Sequence, residues 1–187
     1  MSDSTYDVAQ YAHDLRQITS EETDHKKIVQ RIRPLAQKLA ATPGWLENAH
    51  RTCTSERGFG VHLLHEEDDH SNAVFLIAWL PDRGTLPHNH KTWAVVAGVE
   101  GEEQEIMFSR VDDGSKNGYA KLERSTDTIV TAGDVTCLLG EDIHSVWNVG
   151  EEMSLSLHTY GRHINHTGRS EFDTDNDKEL PYIVEIE

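Results

Sequence analysis

His144-Ser-Val-Trp-Asn148-Val-Gly150-Glu-Glu-Met153-Ser-Leu155-Ser156-Leu157-His158-Thr-Tyr160 holds two β-like runs, His144–Val149 and Met153–Tyr160, on either side of an Asn-Val-Gly-Glu-Glu turn. Successive side chains of a strand point to opposite faces. The second run therefore sets Ser156, His158 and Tyr160 on one face and Leu155 and Leu157 on the other. The same grammar recurs upstream in Gly60–His65, Ala73–Leu80, Trp93–Gly98, Glu103–Val111, Tyr119–Arg124, Thr128–Thr131 and Asp134–Leu139. Between these runs lie Glu66-Glu-Asp-Asp-His-Ser-Asn, Pro81-Asp-Arg-Gly, Asp112-Asp-Gly-Ser-Lys-Asn-Gly and Thr131-Ala-Gly-Asp. Many short strands with turns and no intervening helices predict an antiparallel sandwich or barrel. The fold class is mainly β.

Upstream of Gly58 the period changes. Asp3–Arg16 is weakly helical, and a better helix is predicted from about Asp24 to Ala41, with Ile28, Ile32, Leu35 and Leu39 as its apolar stripe. Pro34 should kink or break that helix, and Thr42-Pro-Gly44 should end it. Residues 1–50 are read as a helical layer and 51–187 as the β-barrel, in a single folding unit. The segment Glu171–Glu187 has seven acidic residues and a short apolar run, Tyr182-Ile-Val, expected to dock as a terminal strand.

The 187 residues include 17 basic and 33 acidic side chains, a formal charge of −16. That balance argues against nucleic acid or an anionic membrane surface as partner. No apolar run approaches the roughly 18 residues of a membrane span. The stretch Met1–Asp7 has neither the basic nor the apolar part of a signal peptide, so a cytoplasmic location is expected. Cys53 and Cys137 are too few for a disulfide framework. The excess that invites chemistry is twelve histidines.

Position sorts them. In Pro87-His88-Asn89-His90 the two imidazoles share a face at a spacing that can chelate one ion; the bland alternative is a pair of solvated histidines. His144 stands some fifty residues later, after a Gly-containing turn, and Asn148 follows it by four. Alone, His144 would be read as a core histidine. The row Ser156, His158, Tyr160 needs partners if it faces inward, and the three can bond one another. His163 and His166 fall in a polar loop and are expected to be solvated, and His65 and His70 flank an acidic hairpin loop. Trp93 and Trp147 are read as core, and Gly98–Gly101 as a turn.

Together His88-Asn-His90 and His144-Ser-Val-Trp-Asn148 resemble the two motifs of the cupin superfamily. The resemblance implies a jelly-roll-like antiparallel β-barrel with the N-terminal helices packed outside. Most cupins add a Glu four or five residues after the second His; here those positions are Ala94 and Val95. Three neutral imidazoles with open positions remain, a set that suits iron, zinc, copper or nickel and keeps the full charge of the ion, which favours a thiolate. The run Leu86-Pro-His88-Asn-His90-Lys-Thr-Trp93-Ala-Val-Val96 and Ser156-Leu-His158-Thr-Tyr160-Gly161 look like the first motif and the Ser-His-Tyr triad of thiol dioxygenases. That family comprises cysteine dioxygenase and its bacterial relative, 3-mercaptopropionate dioxygenase, and the likeness spans about residues 44–169.

By this resemblance His88, His90 and His144 hold Fe(II), and Ser156, His158 and Tyr160 form the outer catalytic network. The cysteine that crosslinks to the triad Tyr in animal cysteine dioxygenases is matched here by Ala94, so no thioether is expected. The early-strand Arg or Gln of the family is matched by Val61. Arg169, nine residues after Tyr160, matches the carboxylate clamp of the mercaptopropionate branch; a guanidinium grips a carboxylate through two parallel bonds. His62 and Arg162 are weaker candidates for the same pocket. The implied activity is oxidation of a small carboxylate-bearing thiol to its sulfinate by O₂, with a small thiol and O₂ as partners, and homo-oligomer formation compatible with the sequence. Two other readings stay open: a metal-dependent cupin lyase or isomerase with Tyr160 as base, and a non-catalytic ligand-binding cupin.

Overall fold

A computed structural model of the chain describes residues 6–187. Two helices come first: α1, Val8–Glu21, and α2, His25–Ala41. Each begins at an aspartate whose carboxylate accepts a backbone N–H of the first turn, Asp7 from Gln10 and Asp24 from Lys26. The predicted start at Asp3 falls outside the described residues; the helix proper opens at Val8. Pro34 neither breaks nor ends α2. Pro34 and Gln30, whose carbonyl loses its hydrogen-bond donor, both lie on the exposed face, where water can take the freed carbonyl.

Ten strands follow: β1 Phe59–His65, β2 Ser71–Trp79, β3 Ala94–Glu100, β4 Glu102–Arg110, β5 Leu122–Thr131, β6 Val135–Leu138, β7 Ile143–Asn148, β8 Ser154–Arg162, β9 Ser170–Asp173 and β10 Lys178–Pro181. Every named pairing is antiparallel. One sheet has the order β1-β2-β8-β3-β6, a second β5-β4-β7, and β9 pairs β10. This is the mainly β, cupin-type architecture, with the two helices outside the barrel.

The alternation expected of the strands divides two cores. Val74, Leu76, Ala78, Val95, Ala97, Leu155 and Leu157 face Tyr11, Leu15, Ile32 and Leu39 of the helices. The intervening residues Ala73, Phe75, Ile77, Trp79 and Tyr160 face inward, against Val146 of the second sheet. β2 is therefore apolar on both faces, which explains its uninterrupted run. At the β3–β5 crossing a Cβ on Gly98 would lie 2.2 Å from the Thr131 carbonyl oxygen, so only glycine lets the sheets close there. Gly98 is thus a strand residue; the turn belongs to Gly101, at φ +77°.

Three expectations are corrected. Tyr119–Arg124 and Thr128–Thr131 merge into β5, because the register shift opposite Met107/Phe108 absorbs Ser125 as an extra residue. The terminal strand at Tyr182–Val184 is replaced by the β9–β10 hairpin followed by an irregular strap. Its polar groups make scattered bonds rather than a ladder: Val184 with the Asn165 side chain (3.0 and 2.8 Å), and the Glu187 N–H with the Val61 carbonyl of β1 (2.9 Å). Trp147, expected in the core, is 39% exposed, because strand β7 turns His144, Val146 and Asn148 inward and leaves it outside. Among the described residues no helix is long and apolar enough to cross a membrane.

Leu157 is fully buried in the cluster that the sheet shares with both helices. Leu157→Ala should lower stability by about 2–5 kcal/mol. Its guanidinium melt should remain one transition, followed by the loss of helical circular dichroism and of tryptophan fluorescence together. Two separated transitions would mean that helices and barrel are independent units.

Candidate metal centre

The three histidines meet through the backbone. His88 donates its N–H to the His144 carbonyl (2.8 Å) and His144 returns the bond to His88 (3.0 Å). This closes an isolated bridge between β7 and the segment before β3. His88 and His90 are therefore not in a regular strand, as the sequence suggested, but in an irregular stretch held between β7 and β9. The alternation survives: Asn89 points away from the two imidazoles, and its side-chain oxygen accepts the Ser170 N–H at 2.9 Å. The ring centroids of His88, His90 and His144 lie 4.7–5.0 Å apart. One nitrogen of each lies within 4.8 Å of the others, and all three residues are buried.

Hydrogen bonds leave the inner nitrogens bare. The Nδ1–H of His88 donates to the Leu86 carbonyl at 3.1 Å, and that of His144 donates to Glu105 Oε1 at 2.9 Å. His144 Nε2 and both nitrogens of His90 have no partner. Buried polar atoms without partners are costly; one bare nitrogen each of His90 and His144 lies within 4.8 Å of a His88 nitrogen, and the three together fit a metal ion. Burial, then the neighbouring imidazoles, hold His88 and His90 well below the usual imidazole value, so both are neutral ligands at pH 7.

Glu105 is the group that the sequence reading missed. No carboxylate follows His90 at the usual cupin spacing, but one arrives from β4, bonded to His144 rather than to the ion. Burial would raise its pKa; the bonds from His144 and Thr136 outweigh this and hold it below the usual carboxylate range. The centre consequently has a negative charge next to its imidazoles. The signal was available in Glu102-Glu-Gln-Glu105, where alternation puts Glu103 and Glu105 on one face. Both are buried.

Beside the imidazoles runs the row on β8. Ser156 Oγ and His158 Nε2 are 2.9 Å apart, as are His158 Nδ1 and the Tyr160 hydroxyl. Trp79 Nε1–H donates to Ser156 Oγ at 3.0 Å. Burial takes His158 down to about 3, so it is neutral. Burial raises the Tyr160 hydroxyl, which makes it a donor rather than a base. The Tyr160 ring lies 5.1 Å from that of His90. Ala94 pairs directly across from Tyr160 and offers a methyl where a crosslinking sulfur would stand.

Arg169 completes the site. It is 4% exposed, its Nε and Nη2 have no partner, and its Cζ lies 4.0 Å from the centre of the Tyr182 ring. It shares an enclosed cavity of about 20 Å³ with His88, His144, His158 and Tyr160. Phe59, Val61, Ile77 and Val146 form the apolar wall, and Tyr182 and Val184 of the C-terminal strap close it. Such a volume admits a water molecule or so.

Other candidates fall outside this cavity. His62 lies on the face of β1 opposite Val61, its Nε2 3.0 Å from the Thr52 carbonyl. Arg162 is exposed and donates to the His166 carbonyl. Asn148 acts as a clamp between chain segments, donating to the carbonyls of Trp79 and Glu152 (both 2.9 Å). His163, expected to be solvated, is buried against Phe75, with ring centroids 5.0 Å apart, because the chain folds back over the barrel after β8.

The chain thus has a cupin-like fold and a group of three buried histidines that could hold a metal ion. The sequence matches no protein-family model. Among solved structures it is similar to oxalate oxidase in complex with the substrate analogue glycolate, at 18% identity and a TM-score of 0.46. The aligned part is 58% of this chain and 53% of that one, so the chain spans about half the oxidase. A conserved Klebsiella pneumoniae protein with a double-stranded β-helix domain aligns at 14% identity and a TM-score of 0.49, over 67% of this chain and 88% of that one. Oxalate decarboxylase from Bacillus subtilis aligns at 24% identity and a TM-score of 0.39, over 49% of this chain and 22% of that one. Likenesses this distant do not reach the reaction.

Removing the outer carboxylate tests the centre. Glu105→Gln should weaken metal binding by about 10- to 100-fold, read by competition with a chromophoric chelator. The metal-free protein should also be acid-sensitive. His88, His90 and His158 have depressed folded pKa values, so the unfolded chain takes up protons that the folded chain refuses as pH falls below about 6.5. Denaturation midpoints should be highest above that pH and fall steadily towards pH 4; a flat profile would contradict the assignment.

Proposed function

We propose that the protein is a non-haem Fe(II) thiol dioxygenase that converts a small carboxylate-bearing thiol, 3-mercaptopropionate or a close analogue, to its sulfinate. The observation that carries this reading is the buried Arg169, its Nε and Nη2 unpartnered, in the same cavity as His88, His144, His158 and Tyr160. Glu171, the carboxylate whose charge acts on Arg169, is paired with Arg57; a buried guanidinium with no ion pair of its own is costly, and a substrate carboxylate would satisfy it. The resemblance of the two motifs to thiol dioxygenases supplies the reaction class.

His88, His90 and His144 would hold the ion through their bare nitrogens, with Glu105 fixing the ring of His144. Bound there, Fe(II) supplies the redox chemistry that joins both atoms of O₂ to a thiol sulfur. The balance is R–SH + O₂ → R–SO₂H: sulfur loses four electrons and O₂ gains them. Arg169 grips the carboxylate and so aims the other end of the substrate at the centre. Tyr182 stacks on the guanidinium and restricts its rotation. Tyr160, held by His158 and Ser156, presents a fixed hydroxyl to the reacting groups. The apolar wall with Val61 excludes water and leaves Arg169 as the cavity's anion-binding group. The protonated state of Tyr160 weakens the reading in which it acts as the base of a lyase or isomerase.

Aerobic Fe(II)-loaded protein with 3-mercaptopropionate should consume O₂ and form 3-sulfinopropionate in equal amounts. No uptake with that thiol, cysteine, cysteamine or mercaptosuccinate would sink the reading, and a product formed without O₂ would favour the lyase or isomerase. Arg169→Ala should lower kcat/KM for the carboxylate thiol by roughly 100-fold, about 2.7 kcal/mol, mainly through KM. The loss should be much smaller for cysteamine, which has no carboxylate.

A further inference from the structure

The C-terminal strap, residues 182–187, forms a thin wall of the cavity. Tyr182 and Val184 are buried and line it, while Ile183 between them is 62% exposed. A groove of about 450 Å³ lies along Tyr182 and Ile183, with Arg169 and Lys116 also in its lining. A second groove, of about 320 Å³, lies along Ile183 and Val184 and is also lined by Phe59 and Arg57. Tyr182 and Arg169 thus border both the cavity and the first groove, and Val184 and Phe59 both the cavity and the second. One layer of side chains separates the cavity from either groove.

The walls differ in how they are held. Ile77 and Tyr160 belong to the β2–β8 ladder, and Val146 to the β4–β7 ladder. The strap lies beyond β10 and pairs with no strand. It is fixed at separate points: the Tyr182 N–H donates to the Arg169 carbonyl at 3.0 Å, Val184 bonds the Asn165 side chain, and the Glu187 N–H meets Val61. At its far end the Glu187 carboxylate accepts the Thr54 N–H at 2.6 Å and the Thr54 hydroxyl at 2.7 Å. Both residues are exposed, so water competes for these two bonds. A segment held by a few exposed bonds opens at a fraction of the free energy that unfolds the molecule. Closed, the cavity of about 20 Å³ has room for a water molecule, and none for a thiol that also carries a carboxylate.

We propose that residues 182–187 are a lid over the centre, with Tyr182 and Val184 as its plugs and the Glu187–Thr54 pair as its latch. Opening joins the cavity to the grooves. It also lifts the Tyr182 ring from the Arg169 guanidinium, 4.0 Å away, which then meets a small anionic ligand on its way in. Closing restores that stack and shuts water out. That the ligand is a carboxylate thiol rests on the function proposed above; the lid does not.

Opening is read without metal or turnover, by the rate at which a small thiol reagent labels cysteines introduced one at a time, followed peptide by peptide by mass spectrometry. Val184→Cys reports on the plug, Ile77→Cys on the cavity wall behind it, and Val95→Cys on the core between sheet and helices. The first two should be labelled at rates of the same order, roughly 100-fold or more above the third, because local opening is far more frequent than unfolding. Adding Glu187→Ala should raise the first two rates by roughly 3- to 10-fold, the loss expected for hydrogen bonds to an exposed charge, and change the third far less. Labelling of Val184→Cys and Ile77→Cys no faster than that of Val95→Cys overturns the proposal, as do rates that Glu187→Ala leaves unchanged. Fast labelling of Val184→Cys with slow labelling of Ile77→Cys also overturns it, since the strap would then fray without opening the cavity. If Val184→Cys fails to fold, Ile77→Cys carries the comparison. A protein that labels as expected and consumes no O₂ keeps its lid and loses the thiol; an active dioxygenase with a sealed cavity loses the lid alone.

Discussion

The two backbone hydrogen bonds exchanged by His88 and His144 are the contact on which the rest of the centre depends. They bring a residue from an irregular segment against one from a regular strand, with fifty-five positions between them in the chain. With that bridge closed, His90 follows by alternation. Asn89, turned the other way, ties the segment to Ser170, and Arg169 is the residue before it. One pairing thus gathers three histidines at one point and sets a guanidinium in the cavity beside two of them. None of it comes from local propensity.

The electrostatics of the centre are arranged around burial. Neutral imidazoles are what a dry pocket favours, since burial makes protonation costly. The same dryness makes an unpaired guanidinium expensive, which is tolerable only where an anion will join it. Glu105 fixes the ring of His144 and adds a negative charge beside the three histidines. Glu103 sits one strand repeat earlier on β4, buried, its Oε1 without a hydrogen-bond partner. Two acids of the same strand face inward and are held differently: one is bonded and anionic, the other is poised near neutrality.

Much of the fold was legible because strand alternation and turn residues are local signals. The two-sided apolar run of β2, the leucines of β8 facing the helices and the polar row opposite them follow from periodicity alone. Pro34 and the merged strand β5 misled because exposure and a register shift are properties of the packed molecule. The inward acids of β4 were overlooked for a different reason. In a chain with 33 acidic side chains, two more carboxylates carry no mark of their own until the strand is seen to face a core.

What the sequence determined by itself was the set of chemical groups and their phase along each strand: His88 with His90, and Ser156 with His158 and Tyr160. Spacing alone suffices there, since a strand repeats every two residues. What only the tertiary structure decided was which groups from distant strands meet. Arg169 is buried beside His88 and His144 while Arg162 is in solvent; His163, expected in solvent, packs against Phe75, and His62, a candidate for the pocket, lies outside it. Glu105 reaches His144, and the strap with Tyr182 and Val184 closes the cavity. These contacts join residues tens of positions apart, and their energy comes from excluding water, which no short stretch of chain can do alone.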